Sequence, residues 1–523
     1  MELYSITFIF LVIITLAAYY TVLRKYQWVC LLAANVLFYC AAGPFHILFI
    51  LTTSLSIWSG ALFMEHMDMK YREAKKNDLL AKEDRKKLKQ SNQDKKRIIL
   101  LLILLLNFGI LAWIKYWNVL GHTRMRGLLL PLGISFYTFL SVAYLIDVYN
   151  GKYQAERNFL HFFLFVSYFP QLLQGPINRY DKMKDQFFGQ HNWNTEQSKR
   201  ALLLIGFGLM KKFAIADMLA GSVSDVFDGS VQGIPGSLIV FAIFLYAIQQ
   251  YADFSGGIDI VLGVSELFGI KMMPNFRQPY FSVSLGDFWR RWHISLGAWM
   301  RDYVFYPFAL TKTMQRFGKW CSQKLGKHFG RVLPAGIANL LVFFLVGIWH
   351  GAQLHYVLWG LYNGIIIAVS DLLEPCFTAI SDKMHLPVNS RGFHVFRVVR
   401  TFIIVNIGWY FDRIYDFQKC MTCFANTVFH FNLSGFGTAM RQEILNPDLA
   451  QPVYIMGGYV VAAVALVIVV ADSVMKERKK DVYAFLQSRR ILTRWTVCYL
   501  IIFLTLGSFI FTRGIGGFMY ANF

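Results

Sequence analysis

Two histidines are the residues of this chain best suited to chemistry. His293 lies in Asp287-Phe288-Trp289-Arg290-Arg291-Trp292-His293-Ile294-Ser295, and His350 in Gly347-Ile348-Trp349-His350-Gly351. Imidazole takes or gives a proton near neutral pH, so a buried histidine in a polar cavity is a candidate general base. His350 closes an apolar run from Leu340 to Trp349, and ionisable groups at membrane depth are costly and usually functional. The competing reading is a histidine satisfied by a neighbouring helix carbonyl, as expected of His46, His161 and His394. Gly347 and Gly351 permit close approach of a second helix or a ligand. Beyond them His355, Tyr356, Trp359, Tyr362 and Asn363 form a polar-aromatic face on the next apolar run.

His293 follows Arg290 and Arg291 closely. One reading is a grip on the phosphates of an anionic carrier; the other is an interfacial anchor of Arg and Trp at the headgroup level. Asp253 and Asp259 fall in or near an apolar run. They could orient a histidine, form a structural ion pair or relay protons. There is no P-loop, H-E-x-x-H, G-x-S-x-G or dinucleotide fingerprint. A histidine without an evident Ser or Cys partner suggests direct transfer to a hydroxyl instead of a covalent acyl-enzyme. Cys420 and Cys423 form a lone C-x-x-C without a second pair at metal spacing, so no metal is expected; a disulfide there requires an oxidising side.

These side chains must be positioned by membrane helices. The 523 residues are 56% hydrophobic and 17% aromatic, with a mean hydropathy of +0.43, which excludes a soluble composition. Apolar runs at 3–23, 27–41, 44–63, 98–117, 128–147, 200–218, 236–262, 332–350, 354–373, 396–412, 453–472 and 491–512 predict spans. The first is expected to be a retained span, not a cleaved signal. No polar stretch is long enough for a soluble domain, so a single integral membrane domain over 1–523 is expected. The net charge of +21 is densest between apolar runs, which points to loops beside anionic lipid and not to nucleic acid. The basic loop 65–97 is expected in the cytoplasm, which puts both termini outside and loops 311–331 and 473–490 inside. That count requires 159–175 to be broken or re-entrant, in keeping with Phe169-Pro170 and Gly175-Pro176. The Arg- and Trp-rich stretch within 268–331 is expected as re-entrant or interfacial helices on the cytoplasmic side. No internal repeat is visible, which weakens a transporter reading built on duplicated halves.

These blocks, together with Pro131-Leu132-Gly133-Ile134-Ser135-Phe136-Tyr137-Thr138-Phe139, Tyr168-Phe169-Pro170-Gln171, Asp253-Phe254-Ser255-Gly256 and Asn275-Phe276-Arg277-Gln278-Pro279-Tyr280, resemble the membrane-bound O-acyltransferase family, in its bacterial alginate O-acetyltransferase-like branch. The resemblance covers residues 1–410; residues 411–523 match less clearly. It implies an all-α helical funnel of about 11–13 transmembrane helices plus re-entrant or interfacial ones. It implies catalysis by His350 with His293, and donor-binding or supporting roles for Trp289, Arg290, Arg291, Asp253 and Trp349. The implied donor is acetyl-CoA or another acyl thioester on the cytoplasmic side, with no tightly bound cofactor. The implied acceptor is a polysaccharide, reached with an extracytoplasmic hydrolase-like acyltransferase partner, at a bacterial cytoplasmic membrane. Where the branch often has His-Gly, this chain has Asn363-Gly364. Two alternatives remain at this stage: D-alanyl transfer from a carrier protein toward teichoic acid, and a proton-coupled transporter.

Overall fold

The computed structural model describes residues 2–76, 81–120, 131–351, 353–446 and 451–518. Residues 77–80 of the basic loop and 128–130 of one expected span lie outside the described residues. The described residues are helical; their one β-type pairing is an isolated bridge between Phe276 and Trp292. Six helices are long and apolar enough to cross a membrane, or up to eight if each of two bent pairs is one span. The protein is therefore an all-α, multi-pass membrane protein.

The remaining expected spans are present, but shortened, bent or charged. Ile6–Tyr20 and Arg24–Ala41 meet at 102°, and Leu354–Leu372 bends by 53° into Glu374–Lys383. The run at 128–147 yields the 16-residue helix Ile134–Tyr149. The run at 200–218 breaks, because Thr195–Met210 passes into a π-helical segment at Lys211–Ala216. Arg391–Arg413 covers the run at 396–412 and carries Arg397, Arg400, Asp412 and Arg413.

The chain packs as two compact units. In the first, residues 1–201 with 261–273, the segment 159–175 forms two short helices, Phe159–Ser167 and Phe169–Gln174. The break is at Tyr168, and Pro170 starts the second helix where a missing N–H costs nothing. The freed backbone is satisfied internally: Asn35 accepts from the Phe169 N–H at 2.9 Å and donates to Ser167 Oγ at 3.2 Å. Gly133 has φ of +67°, and a Cβ there would lie 2.5 Å from the Leu172 carbonyl oxygen, so only glycine fits.

The second unit, residues 202–260 with 274–522, carries both histidines. It contains a hairpin of Lys327–His350 and Leu354–Leu372. A Cβ on Gly347 would sit 2.5 Å from the Tyr356 carbonyl oxygen, and one on Gly360 2.3 Å from that of Phe343. The two backbones are in contact, as small residues allow in membrane helix pairs. Gly360→Val is expected to cost about 1–3 kcal/mol through overpacking, read as a lower thermal midpoint in detergent by size-exclusion of the heated protein. Against the hairpin lies the stretch expected to be re-entrant or interfacial. It forms Leu285–Arg291, Ile294–Met300, a π-helical turn at Arg301–Phe305 and Tyr306–Ala309.

Candidate active site

His350 is the last residue of its helix and is buried. Three aromatic rings enclose its imidazole. Trp349 and Trp359 meet it edge-on, each with centroids 4.9 Å away, and Tyr356 stacks on it at 5.9 Å. His293 is buried between the two short helices, with a left-handed backbone (φ +48°, ψ +51°). A side chain with a Cβ adopts that conformation only where its surroundings enforce it. Here the enforcement comes from Asn275: its backbone oxygen accepts from the Ile294 N–H at 3.0 Å. Its side-chain Oδ1 accepts from the Ser295 N–H at 3.0 Å and Ser295 Oγ at 2.8 Å, and lies 3.2 Å from His293 Nδ1. An oxygen that already receives two donors is an acceptor, so His293 Nδ1 carries the proton and Nε2 is the basic nitrogen. Burial pushes this imidazole down to about 3, so it is neutral at physiological pH.

The fold brings the two histidines to one place. The Trp349 ring is 6.3 Å from His293 and 4.9 Å from His350, and both imidazoles line a single cavity of about 870 Å³. Asn339, Val342, Phe343, Val346 and His350 line it from one helix, a spacing of three and four that marks one helix face. That stripe runs about 16 Å along the axis, from 1.5 Å per residue. The wall also carries polar and basic side chains, among them Arg290, Arg301, Asp371 and Arg400.

The other expected site residues are distributed unevenly. Trp289 lines the cavity, and its indole N–H donates to Asn363 Oδ1 at 3.0 Å. Asn363 in turn donates to the Trp359 carbonyl at 2.8 Å. The two arginines part company. Arg290 lines the cavity and lies 3.6 Å from Asp287, whereas Arg291 pairs with Asp287 at 3.1 Å and with Glu477 at 2.9 Å and is not part of the wall. Asp253 forms an ion pair with Lys212 at 2.8 Å, and the ring of its neighbour Phe254 meets His293 edge-on at 4.9 Å. Lys212 also holds Asp217 at 2.9 Å, and Lys211 holds Asp259 at 2.6 Å. Of the expected alternatives for Asp253, the ion pair is the contact seen here. The sequence reading assigns no site role to Arg301, Arg400 or Asn275, although Asn275 opens one of the family-like blocks. Arg301 is one charge among several in the Arg- and Trp-rich stretch, and Arg400 sits inside an expected span, where the basic charge itself is the available signal.

Among the described residues no three His, Cys, Asp or Glu side chains converge as a metal site. Cys420 and Cys423 are buried free thiols on Phe417–Phe429.

Residues 155–411 match the family model described as MBOAT, membrane-bound O-acyltransferase family. The chain is 36% identical over 286 residues to the "probable alginate O-acetylase" of Pseudomonas syringae pv. tomato, covering 54% of this chain and 49% of that protein. It is 29% identical to the peptidoglycan O-acetyltransferase of Helicobacter pylori over 61% of this chain and 62% of that one. It is also 29% identical to the teichoic acid D-alanyltransferase of Bacillus subtilis over 57% and 73%. The chain spans about half the length of the alginate O-acetylases it matches.

Proposed function

Since this chain belongs to the membrane-bound O-acyltransferase family, we propose that it transfers an acyl group, acetyl in the first instance, from a thioester donor to a hydroxyl destined for a cell-surface or exported polysaccharide. The observation that carries this reading is the single cavity shared by His293, His350, Trp289 and Arg290. The donor enters at the end bearing Arg290, Arg301 and Arg400, whose guanidiniums suit the phosphates of a carrier such as coenzyme A. Its pantetheine arm lies along the helix stripe and presents the thioester at His350.

There the acceptor hydroxyl gives its proton to the imidazole as its oxygen attacks the thioester carbonyl. A C–O bond forms, the C–S bond breaks, and the proton passes on to the leaving thiolate. The neutral His293, fixed by Asn275, lines the same chamber and shapes it without adding charge. Aromatic walls keep bulk water from the thioester and limit its hydrolysis. On this reading the donor enters from the cytoplasm of a bacterial membrane, in keeping with the basic stretches 311–331 and 473–490, and an extracytoplasmic hydrolase-like partner completes the delivery. Identity to alginate O-acetylases exceeds that to D-alanyltransferases, which favours acetyl over D-alanyl.

The test is reconstitution in liposomes with labelled acetyl-CoA and alginate oligosaccharides. Release of coenzyme A coupled to ester formation is expected. Solute flux without thioester turnover would favour a transporter and overturn the reading, and turnover of a D-alanyl carrier protein alone would overturn the donor assignment. Arg400→Ala is expected to raise the acetyl-CoA KM about tenfold, the loss of one charge-assisted contact of roughly 1.4 kcal/mol. An unchanged KM in initial-rate measurements would remove Arg400 from the donor site.

A further inference from the structure

Contacts identify three cavity-lining residues beside His350. Val346 lies one turn before it on the same helix. His293 is joined to it by Trp349, whose ring is 6.3 Å from the one imidazole and 4.9 Å from the other. Trp289 is joined to it by Trp359, whose ring lies 5.4 Å from that of Trp289 and 4.9 Å from His350. Trp289 is the largest of the three, and it carries the indole that faces the cavity itself.

That indole is held from behind. Its N–H donates to Asn363 Oδ1 at 3.0 Å, and the Asn363 amide N–H donates to the Trp359 carbonyl at 2.8 Å. The second bond fixes which end of the amide is turned to the indole. Trp359 meets the ring edge-on, with 86° between planes, and Phe343 meets it at 67° with centroids 5.5 Å apart. Asn363, Trp359 and Phe343 are buried and belong to the two helices of the hairpin. Trp289 is only half-buried. Swinging the indole away would break its bond to a buried amide oxygen in apolar surroundings, which is costly. The ring is therefore a rigid surface next to the reacting group.

We propose that Trp289, locked by Asn363, is the stop that limits the transferred group to acetyl. This rests on the acyl-transfer reading above. With the thioester carbonyl at His350, the acyl chain is the part of the donor that continues past the reacting carbon, and each added methylene has to displace the indole. A hydrophobic pocket separates substrates that differ by one methylene by about 10–200-fold. The stop thus selects among thioesters built on one carrier, a choice that the arginines of the wall, which meet the carrier's phosphates, cannot make.

The experiment uses the full chain in liposomes with alginate oligosaccharides and acetyl-, butyryl- or hexanoyl-CoA, following His350-dependent release of coenzyme A. The unaltered chain is expected to prefer acetyl-CoA to butyryl-CoA by about tenfold or more in kcat/KM. Trp289→Ala is expected to raise the butyryl-to-acetyl ratio about tenfold, and Trp289→Phe by less. Asn363→Leu has a similar shape without the acceptor, lies behind the wall, and is expected to raise the ratio about threefold, the loss of one hydrogen bond. It decides the matter if Trp289→Ala does not accumulate as folded protein. A parallel change for every chain length, which a merely structural role would give, overturns the stop. So does an unchanged ratio, or an unaltered chain that uses butyryl-CoA as well as acetyl-CoA. Absence of His350-dependent release of coenzyme A from all three donors overturns the acyl-transfer reading itself, and the stop with it.

Discussion

His350→Ala is expected to lower acyl transfer about 10²–10⁴-fold, the range supplied by a positioned general base, while protein level in the membrane stays near that of the unaltered chain. The imidazole makes its ring contacts at the end of a helix, so its removal empties a chamber that is already open and does not unseat a helix pair. Ester formation and release of coenzyme A from membranes of matched protein content measure the loss. His293→Ala is expected to act differently: a neutral imidazole pinned to Asn275 holds a strained backbone, and its loss lowers thermal stability together with rate. Transfer that survives His350→Ala at normal speed would mean that another group takes the proton.

The second large effect is structural. Lys212 bridges Asp253 and Asp217, with side chains of all three residues between 2% and 5% exposed. Removing one partner of a buried ion pair costs about 3–5 kcal/mol, because the remaining charge is stranded. Lys212→Met strands two carboxylates and is expected to lower the melting midpoint sharply in detergent, with loss of folded protein at physiological temperature. Adding Asp253→Asn and Asp217→Asn is expected to recover much of the midpoint. If Lys212→Met melts like the unaltered chain, the cluster does not hold this unit together.

Much of this was legible in the residues, and the limits have physical causes. Long uninterrupted apolar runs such as 236–262 and 332–350 reappear as helices because length and hydropathy alone settle them. Bends are less visible: Arg24-Lys25 marks the break between the runs 3–23 and 27–41, but nothing there specifies an angle of 102°. At the site, His293, His350, Trp289 and Trp349 were legible because unusual residue types cluster within short motifs. The choice between Arg290 and Arg291 was not. Successive residues on a helix point about 100° apart, and what sets Arg291 apart is its pairing with Glu477, 186 positions away. Asp253 was also out of reach, since its partner lies 41 positions earlier in a π-helical turn that pattern reading takes for ordinary helix.

The contact between Gly347 and Gly360 has a mechanical consequence. Two backbones that touch cannot slide past one another without driving a Cβ-bearing neighbour into a carbonyl. His350, Tyr356 and Trp359 therefore travel as one stiff body, the fixed jaw of the chamber. The opposite jaw is a string of four- to seven-residue helices joined at a strained histidine and a π-helical turn. Compliance resides there, so the cycle of donor entry and product exit is paced by that side, and substitutions that loosen or stiffen it should register in turnover before they register in the chemistry at the imidazole.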